Sequence, residues 1–453
     1  MPRPSPSAAL SAAPPTTRRA PELLAPAGSL AMAGTAFSFG ADAVYAGQPR
    51  YSLRTRNNEF STLDALSRGI AGAHAQGKRF YLVSNVIPHN AKVKTYLADL
   101  AEVVALQPDA LIMADPGLIA MVREAWPELP IHLSVQANTV NYAAVKFWKS
   151  VGVERVILSR ELSLDEVAEI RQECPDTELE VFVHGALCIA YSGRCLLSGY
   201  FNHRDANQGT CTNSCRWDYK VLPGEEQPGG DVARLQPPPA PPPAAAPAGQ
   251  VWLIEESQRP GELMPMEEDE HGTYVLNSKD LRAIEHVARL VEIGVDSLKI
   301  EGRTKSPYYV ARVCQTYRQA IDDAVAGRPF DATLLSELEG LANRGYTGGF
   351  YERHPDQAYQ NYLRGHSESD RSLYVGDVAG YDAARGLVEV VVKNRFGRGD
   401  RIEAIHPAGN REFVVERLEN AAGEAIEVAP GSGHRVWLPL PEDLAGAFLA
   451  RFV

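Results

Sequence analysis

From Pro21 to Arg303, short apolar runs rich in β-branched residues alternate with longer stretches whose apolar residues fall three and four positions apart. The runs are ELLAPAG (22–28), AVYAG (43–47), RFYLVSNV (79–86), ALIMAD (110–115), IHLSVQ (131–136), RVILSR (155–160), LEVFVHG (179–185), TYVLNS (273–278) and SLKIEGR (297–303). Segments between them, such as LADLAEVVALQ and LDEVAEIRQEC, carry the helical period. Strands without a polar face, alternating with helices, predict a parallel sheet covered on both sides. Eight or nine such units suit a closed (β/α)8 TIM-barrel-like domain. An open doubly wound sheet is the alternative. No GxGxxG turn follows the first run, so a dinucleotide-binding domain has little support.

The texture changes after Tyr346. From about Ser372 short alternating strands follow one another: LYVGDVAGYD, LVEVVVKN, DRIEAIHP, EFVVERLE, AIEVAP and HRVWLPL. Their regular spacing and Gly, Asn and Pro turns predict a small β-barrel or sandwich. The expected division is a disordered tail over 1–20, a catalytic barrel domain over 21–365 and a β-domain over 366–453. Within the barrel domain, the Pro/Ala-rich stretch 222–250 cannot bury enough apolar surface to fold alone and reads as a flexible insertion. The tail lacks acidic residues, so a transit peptide is its other reading.

Charge narrows the partners. The formal net charge of -12 argues against a general nucleic-acid coat, so any RNA contact needs a local basic patch. No apolar run approaches the roughly 20 residues that span a bilayer, and no secretory apolar region follows the N-terminus. A cytoplasmic enzyme without a membrane partner is the expectation.

Cysteine usage carries the strongest chemical signal. Cys188, Cys195, Cys211 and Cys215 lie in one segment after the run LEVFVHG, where a βα loop would sit on the C-terminal rim of a barrel. In a reducing compartment clustered cysteines bind metal or react more often than they form disulfides. Six, fifteen and three residues separate successive members, which fits neither a zinc knuckle nor a ferredoxin run. Asp218 stands where a radical-SAM triplet would need its last cysteine. Spacing leaves an iron–sulfur cluster, a zinc site and incidental thiols open. Glycines 185, 193, 199 and 209 would let the loop wrap closely round a bulky group.

Other charged residues are candidates for substrate chemistry. Lys299, Glu301 and Arg303 alternate along the last run and would share one face, toward the barrel interior or rim. They read either as a structural ion-pair network or as catalytic and binding groups, Lys299 and Glu301 in catalysis and Arg303 on an anion. Arg50, Arg54 and Arg56, with Asn57, suit a dicarboxylate or an RNA backbone. Gln136 and His184, at strand ends, are further candidates for substrate binding and catalysis. Lys393, Arg395, Arg398 and Arg401 cluster around Phe396 as a candidate RNA-binding patch, although a plain hairpin turn explains them as well.

The stretch EVFVHGALC, continuing through SGRC to LS, resembles the signature of the collagenase-like peptidase family of unknown catalytic type. LLAPAGSL, GADAVYAGQPRYSLRTRNNEF, SVQANTVN, EDEHGTYVLNSKDL and SLKIEGRTKSPYYVARV resemble a tRNA-hydroxylating subgroup of that family. That resemblance implies oxygen-independent 5-hydroxylation of the wobble uridine, with the tRNA anticodon region as partner and prephenate, a small dicarboxylate, as hydroxyl donor. It also implies a 4Fe-4S cluster on Cys188, Cys195, Cys211 and Cys215, and an electron donor or partner subunit. A peptidase is the first alternative. HExxH and GxSxG are absent, but His184 and His203 flank the cysteines, which leaves a thiol–imidazole pair open. A non-catalytic RNA-binding protein is the second.

Overall fold

The computed structural model describes residues 19–48, 50–53, 58–187, 193–194, 279–341, 343, 345–352, 372–441 and 444–452, with the short strands 224–226, 232–234, 252–255, 263–269 and 272–274. Eight parallel strands form a closed barrel: β1 (Glu22–Pro26), β2 (Ala43–Gly47), β3 (Arg79–Ser84), β4 (Ala110–Met113), β5 (Ile131–Leu133), β6 (Arg155–Ile157), β7 (Glu178–Ala186) and β8 (Ser297–Ile300). β8 pairs in parallel with both β7 and β1, which closes the ring. This is the expected fold, and the open-sheet alternative fails on that closure. One run is not a barrel stave. Gly272–Tyr274 pairs antiparallel with Leu263–Asp269 in a separate three-stranded sheet, because the eighth place is taken by β8. A short strand, Asp280–Arg282, instead runs antiparallel along the end of β7.

Helices alternate with the strands, and several start on side-chain caps. Ser29, Thr62, Asp115, Ser163 and Ser306 each accept a backbone N–H of their first turn, and Ser163 forms a full capping box with Glu166. The longest, Pro307–Val325, begins with proline at its first position and packs on β1 and on the helix Leu30–Ser38. Among the described residues, no helix is long and apolar enough to cross a membrane.

The lower barrel interior is ionic rather than aliphatic. Arg155 on β6 donates to Glu22 on β1 at 2.6 Å, to Glu180 on β7 at 3.1 Å and to Glu178 at 2.8 Å. Lys299 on β8 donates to the other oxygen of Glu180 at 2.7 Å, and Tyr81 on β3 donates to Glu22 at 2.7 Å. Arg155, Glu22, Glu180 and Lys299 are all buried. Such charges survive in a dry interior only when every member is paired.

The C-terminal residues form an antiparallel eight-stranded sheet curled round its own core of Val375, Val390, Phe396, Ile402, Val436 and Leu449. It packs on the outer face of the helix Pro307–Val325. Tyr308 stacks on Tyr374 with centroids 4.5 Å apart, and Arg312, buried, donates to Glu403 at 3.1 Å and to Glu337. Gln315 donates to the His406 carbonyl at 3.0 Å.

Candidate functional site

The C-terminal ends of the strands carry polar residues just where each chain leaves the barrel, which is where barrel proteins place their chemistry. After β2 come Gln48 and Ser52; after β3, Asn85; after β5, Ser134, Gln136 and Asn138; after β6, Ser159 and Arg160; after β8, Glu301 and Arg303. These groups are laced together. Arg303 donates to Ser52 Oγ at 2.8 Å, Asn85 accepts from the Leu53 N–H at 3.3 Å, and Asn85 donates to Ser134 at 3.1 Å. Gly47 makes the first contact possible: a Cβ there would lie 2.7 Å from Arg303 Nη1 and 2.6 Å from Ser52 Oγ. On the other side Ser159 donates to Asn138 at 2.8 Å, and Asn138 holds a left-handed φ of 52°.

Lys299 sits one layer below. Its ammonium lies 4.3 Å from the Tyr45 ring centroid and 5.5 Å from that of Phe182. Arg160 lies over the Phe182 ring, 3.6 Å from its centroid, and faces Glu301 at 3.7 Å. Burial holds the Lys299 ammonium below its usual range, against the opposing pull of Glu180. Burial would raise the Glu180 carboxyl, but Lys299 and Arg155 outweigh it and keep the group ionised. His132, under Tyr81, is pushed well down by burial and then by Arg155, Lys299 and Arg79, so it is neutral.

Several buried acceptors on the rim lack a partner among the described residues, Thr139 Oγ1 and Glu161 Oε2 among them. Gln48 Oε1 and Gln136 Oε1 accept no hydrogen bond among the described residues. An unsatisfied buried acceptor costs about 1–3 kcal/mol, so such groups on one rim are candidates to receive N–H or O–H donors from a ligand or from a neighbouring segment. With Arg160 and Arg303 beside them, the rim can hold a small anion that also donates hydrogen bonds.

The cysteine-bearing segment touches this rim at one described point. Gly193, between Cys188 and Cys195 in sequence, has a φ of 74°, and a Cβ on it would lie 2.3 Å from the Gln136 carbonyl oxygen. Only glycine allows that approach. Cys188, Cys195, Cys211 and Cys215 lie outside the described residues, as do Arg54, Arg56 and Asn57. The other two cysteines, Cys174 and Cys314, are buried free thiols.

The remaining sequence candidates fall in several places. Gln136, Glu301 and Arg303 stand on the rim, and Lys299 belongs to the ionic network beneath it. Arg50 is half-exposed and bonded to Asp99 at 2.8 Å. His184 faces away from the interior. A bulge in the β7–β8 pairing places it opposite Ile300 rather than opposite Glu301, which turns it outward. There it is enclosed by Tyr309, Tyr317 and Tyr346, and burial drives its imidazole down to about 3. Held neutral and away from the rim, it gives a thiol–imidazole pair no support. In the C-terminal sheet Lys393 faces Asp377 at 3.1 Å, Arg398 faces Glu427 at 3.2 Å and Arg401 pairs with Glu412, while Arg395 is exposed.

Sequence reasoning passed over Arg160, Gln48 and the carboxylates Glu22 and Glu180. Arg160 had a signal: it leaves β6 as Arg303 leaves β8. Charges inside an otherwise apolar strand run were the signal for Glu22 and Glu180.

A closed barrel with an ionic floor and a polar rim, followed by an antiparallel sheet, defines a TIM-barrel protein whose candidate site is the rim. The chain belongs to peptidase family U32: Peptidase family U32 matches residues 28–361 and its C-terminal domain matches 370–451. It is similar to tRNA hydroxylation protein P of Escherichia coli, 61% identical over 94% of both chains, and to that of Haemophilus influenzae, 56% identical over 95% of both. A more distant relative is a 23S rRNA 5-hydroxycytidine synthase of Escherichia coli, 27% identical over 93% of this chain and 57% of its own.

Proposed function

We propose that this chain hydroxylates tRNA, performing oxygen-independent, prephenate-dependent 5-hydroxylation of the wobble uridine. The observation that carries the reading is the end-to-end similarity to proteins named for tRNA hydroxylation, over 94% of both chains in one case. The rim adds to it, because a dicarboxylate that also carries a hydroxyl matches two arginines beside two unsatisfied amide acceptors.

Replacing the uracil C5–H by C5–OH is a two-electron oxidation, and it balances if the hydroxyl donor takes up the same two electrons, giving up its hydroxyl and leaving with hydrogen in its place. A 4Fe-4S cluster, when bound, supplies a centre able to relay those electrons. Cys188, Cys195, Cys211 and Cys215 would hold it, since four soft thiolates suit iron–sulfur chemistry. Gly193, within the segment bearing them, lies against the Gln136 carbonyl where no side chain is admitted, which supports a place for such a group beside the rim. Arg303, fixed by Ser52, would hold a substrate carboxylate, and Gln48 and Gln136 would accept its donors. Glu301, facing Arg160, would orient that arginine or take up a proton. Lys299 would set the field beneath them.

The test is nucleoside mass spectrometry of tRNA from an anaerobically grown host lacking this gene and redundant hydroxylases, complemented with wild type or Cys211→Ser. Wild type alone is expected to restore 5-hydroxyuridine derivatives. Restoration by both would remove the cysteine from the reaction. Restoration by neither, with the wild type folded and iron-loaded, would overturn the substrate.

A further inference from the structure

We infer that the rim loops after β2 and β3 form the docking surface for the RNA phosphate backbone, with Arg50, His89, Lys92 and Lys94 as its contacts. This rests on the tRNA reading above and adds to it where the polyanion sits.

The two loops are one body. The Val86 N–H donates to the Tyr51 carbonyl at 3.1 Å, and Tyr51 meets Tyr96 edge-on with centroids 4.9 Å apart. The same body reaches the candidate site, because Ser52 accepts from Arg303 and Asn85 donates to Ser134. A phosphate bound on these loops therefore lies on the rim that seats the cysteine-bearing segment through Gln136.

Their charge is mainly positive in an acidic chain, Glu59 being the carboxylate of the loop after β2. Residues 86–98 contain His89, Lys92 and Lys94 and no carboxylate. His89 and Lys94 are exposed, and Lys92 lies at half depth. Lys92 Nζ reaches back to the Arg50 carbonyl at 3.4 Å, which brings two cationic residues together. Burial and the Arg50 charge both lower the Lys92 ammonium from its usual range. Arg50 itself adopts a left-handed φ of 70°, uncommon for a residue with a side chain. Asp99 faces the pair, but its Oδ2 already accepts from Tyr51, Thr95 and Arg50. Cations crowded onto a strained loop gain most from an external anion. In the C-terminal cluster Lys393, Arg398 and Arg401 each face a carboxylate of their own sheet, as Arg50 faces Asp99, whereas His89 and Lys94 stand exposed on the rim loop.

Binding of an unmodified tRNA transcript to the full-length protein, followed by fluorescence anisotropy across a salt series, tests the assignment. Each phosphate contact contributes about 0.7–0.9 to the log–log salt slope. Lys92→Ala/Lys94→Ala is expected to weaken binding about tenfold and to lower the slope by about 1.5. Lys92→Arg/Lys94→Arg is expected to keep both near wild type, which separates charge from folding. Arg398→Ala/Arg401→Ala is expected to change neither. An alanine pair that binds with wild-type affinity and slope overturns the inference, as does an equal loss in the C-terminal variant. Wild type that shows no salt-dependent affinity for tRNA overturns it too. The nucleoside measurement above then decides separately whether the tRNA reading falls.

Discussion

Replacing Glu180 by glutamine should be among the most damaging single changes available in the barrel. Its carboxylate stands between Lys299 at 2.7 Å and Arg155 at 3.1 Å, with all three buried. Arg155 keeps Glu22 and Glu178, but Lys299 loses the negative charge that it is paired with, since an amide oxygen can accept its hydrogen bond without balancing its charge. Removing one member of such a pair costs about 3–5 kcal/mol. Lys299→Met should cost less, about 1–3 kcal/mol, because Glu180 retains Arg155. The double variant Glu180→Gln/Lys299→Met should recover about 1–3 kcal/mol relative to Glu180→Gln, as neighbours that share one interaction do. Denaturant unfolding of the four proteins measures this directly. A Glu180→Gln cost below about 1 kcal/mol, or strictly additive effects, would refute the view that the floor is held by pairing. The same set carries a pH signature. The Lys299 ammonium is held below its ordinary 10.5, so the unfolded chain binds the extra proton just beneath that pH. That group's contribution therefore makes stability rise with pH across the window, and Lys299→Met should flatten the rise.

Two further outcomes follow from single residues. His184 titrates near 3 in the folded chain against 6.5 ordinarily, so the unfolded state takes the proton first and stability falls as pH drops between them, at up to about 1.4 kcal/mol per pH unit. His184→Phe should remove that slope from the acid limb of the unfolding profile, and an unchanged slope would show that the imidazole is not held neutral by its tyrosine enclosure. Gly193→Ala would drive a methyl group into the Gln136 carbonyl, so iron content per folded chain should fall while the melting temperature stays close to wild type; full iron loading would detach the segment's seating from its metal chemistry.

The barrel was legible in the sequence because the staves are largely apolar runs and several helices open on a capping residue. TYVLNS misled because an apolar run bounded by turns looks the same whether it joins a parallel ring or a hairpin, and only the closure of β8 on β1 separates the two. Lys299, Glu301 and Arg303 were legible as one face, but the division between floor and rim was not. Lys299 points into a network whose members come from β1, β6 and β7, far away in sequence. His184 shows a different limit: strict alternation would aim it inward with Phe182, and one bulged residue reverses it. In the C-terminal cluster the basic residues are close in sequence while their partners Asp377, Glu412 and Glu427 are not, so a local window registers the positive charges alone.

The helix Pro307–Val325 works as a shared axle. One side, through Tyr309 and Tyr317, grips His184 at the end of β7, a few residues before the first clustered cysteine. The other side, through Tyr308, Arg312 and Gln315, carries the C-terminal sheet. Peeling that sheet away would strip Arg312 of Glu403 and open the stacked tyrosines to water, so neither half can loosen without raising the free energy of the other. The strand that launches the cysteine segment and the sheet on the far side are thereby held in one fixed alignment, with a single helix as the reference for both.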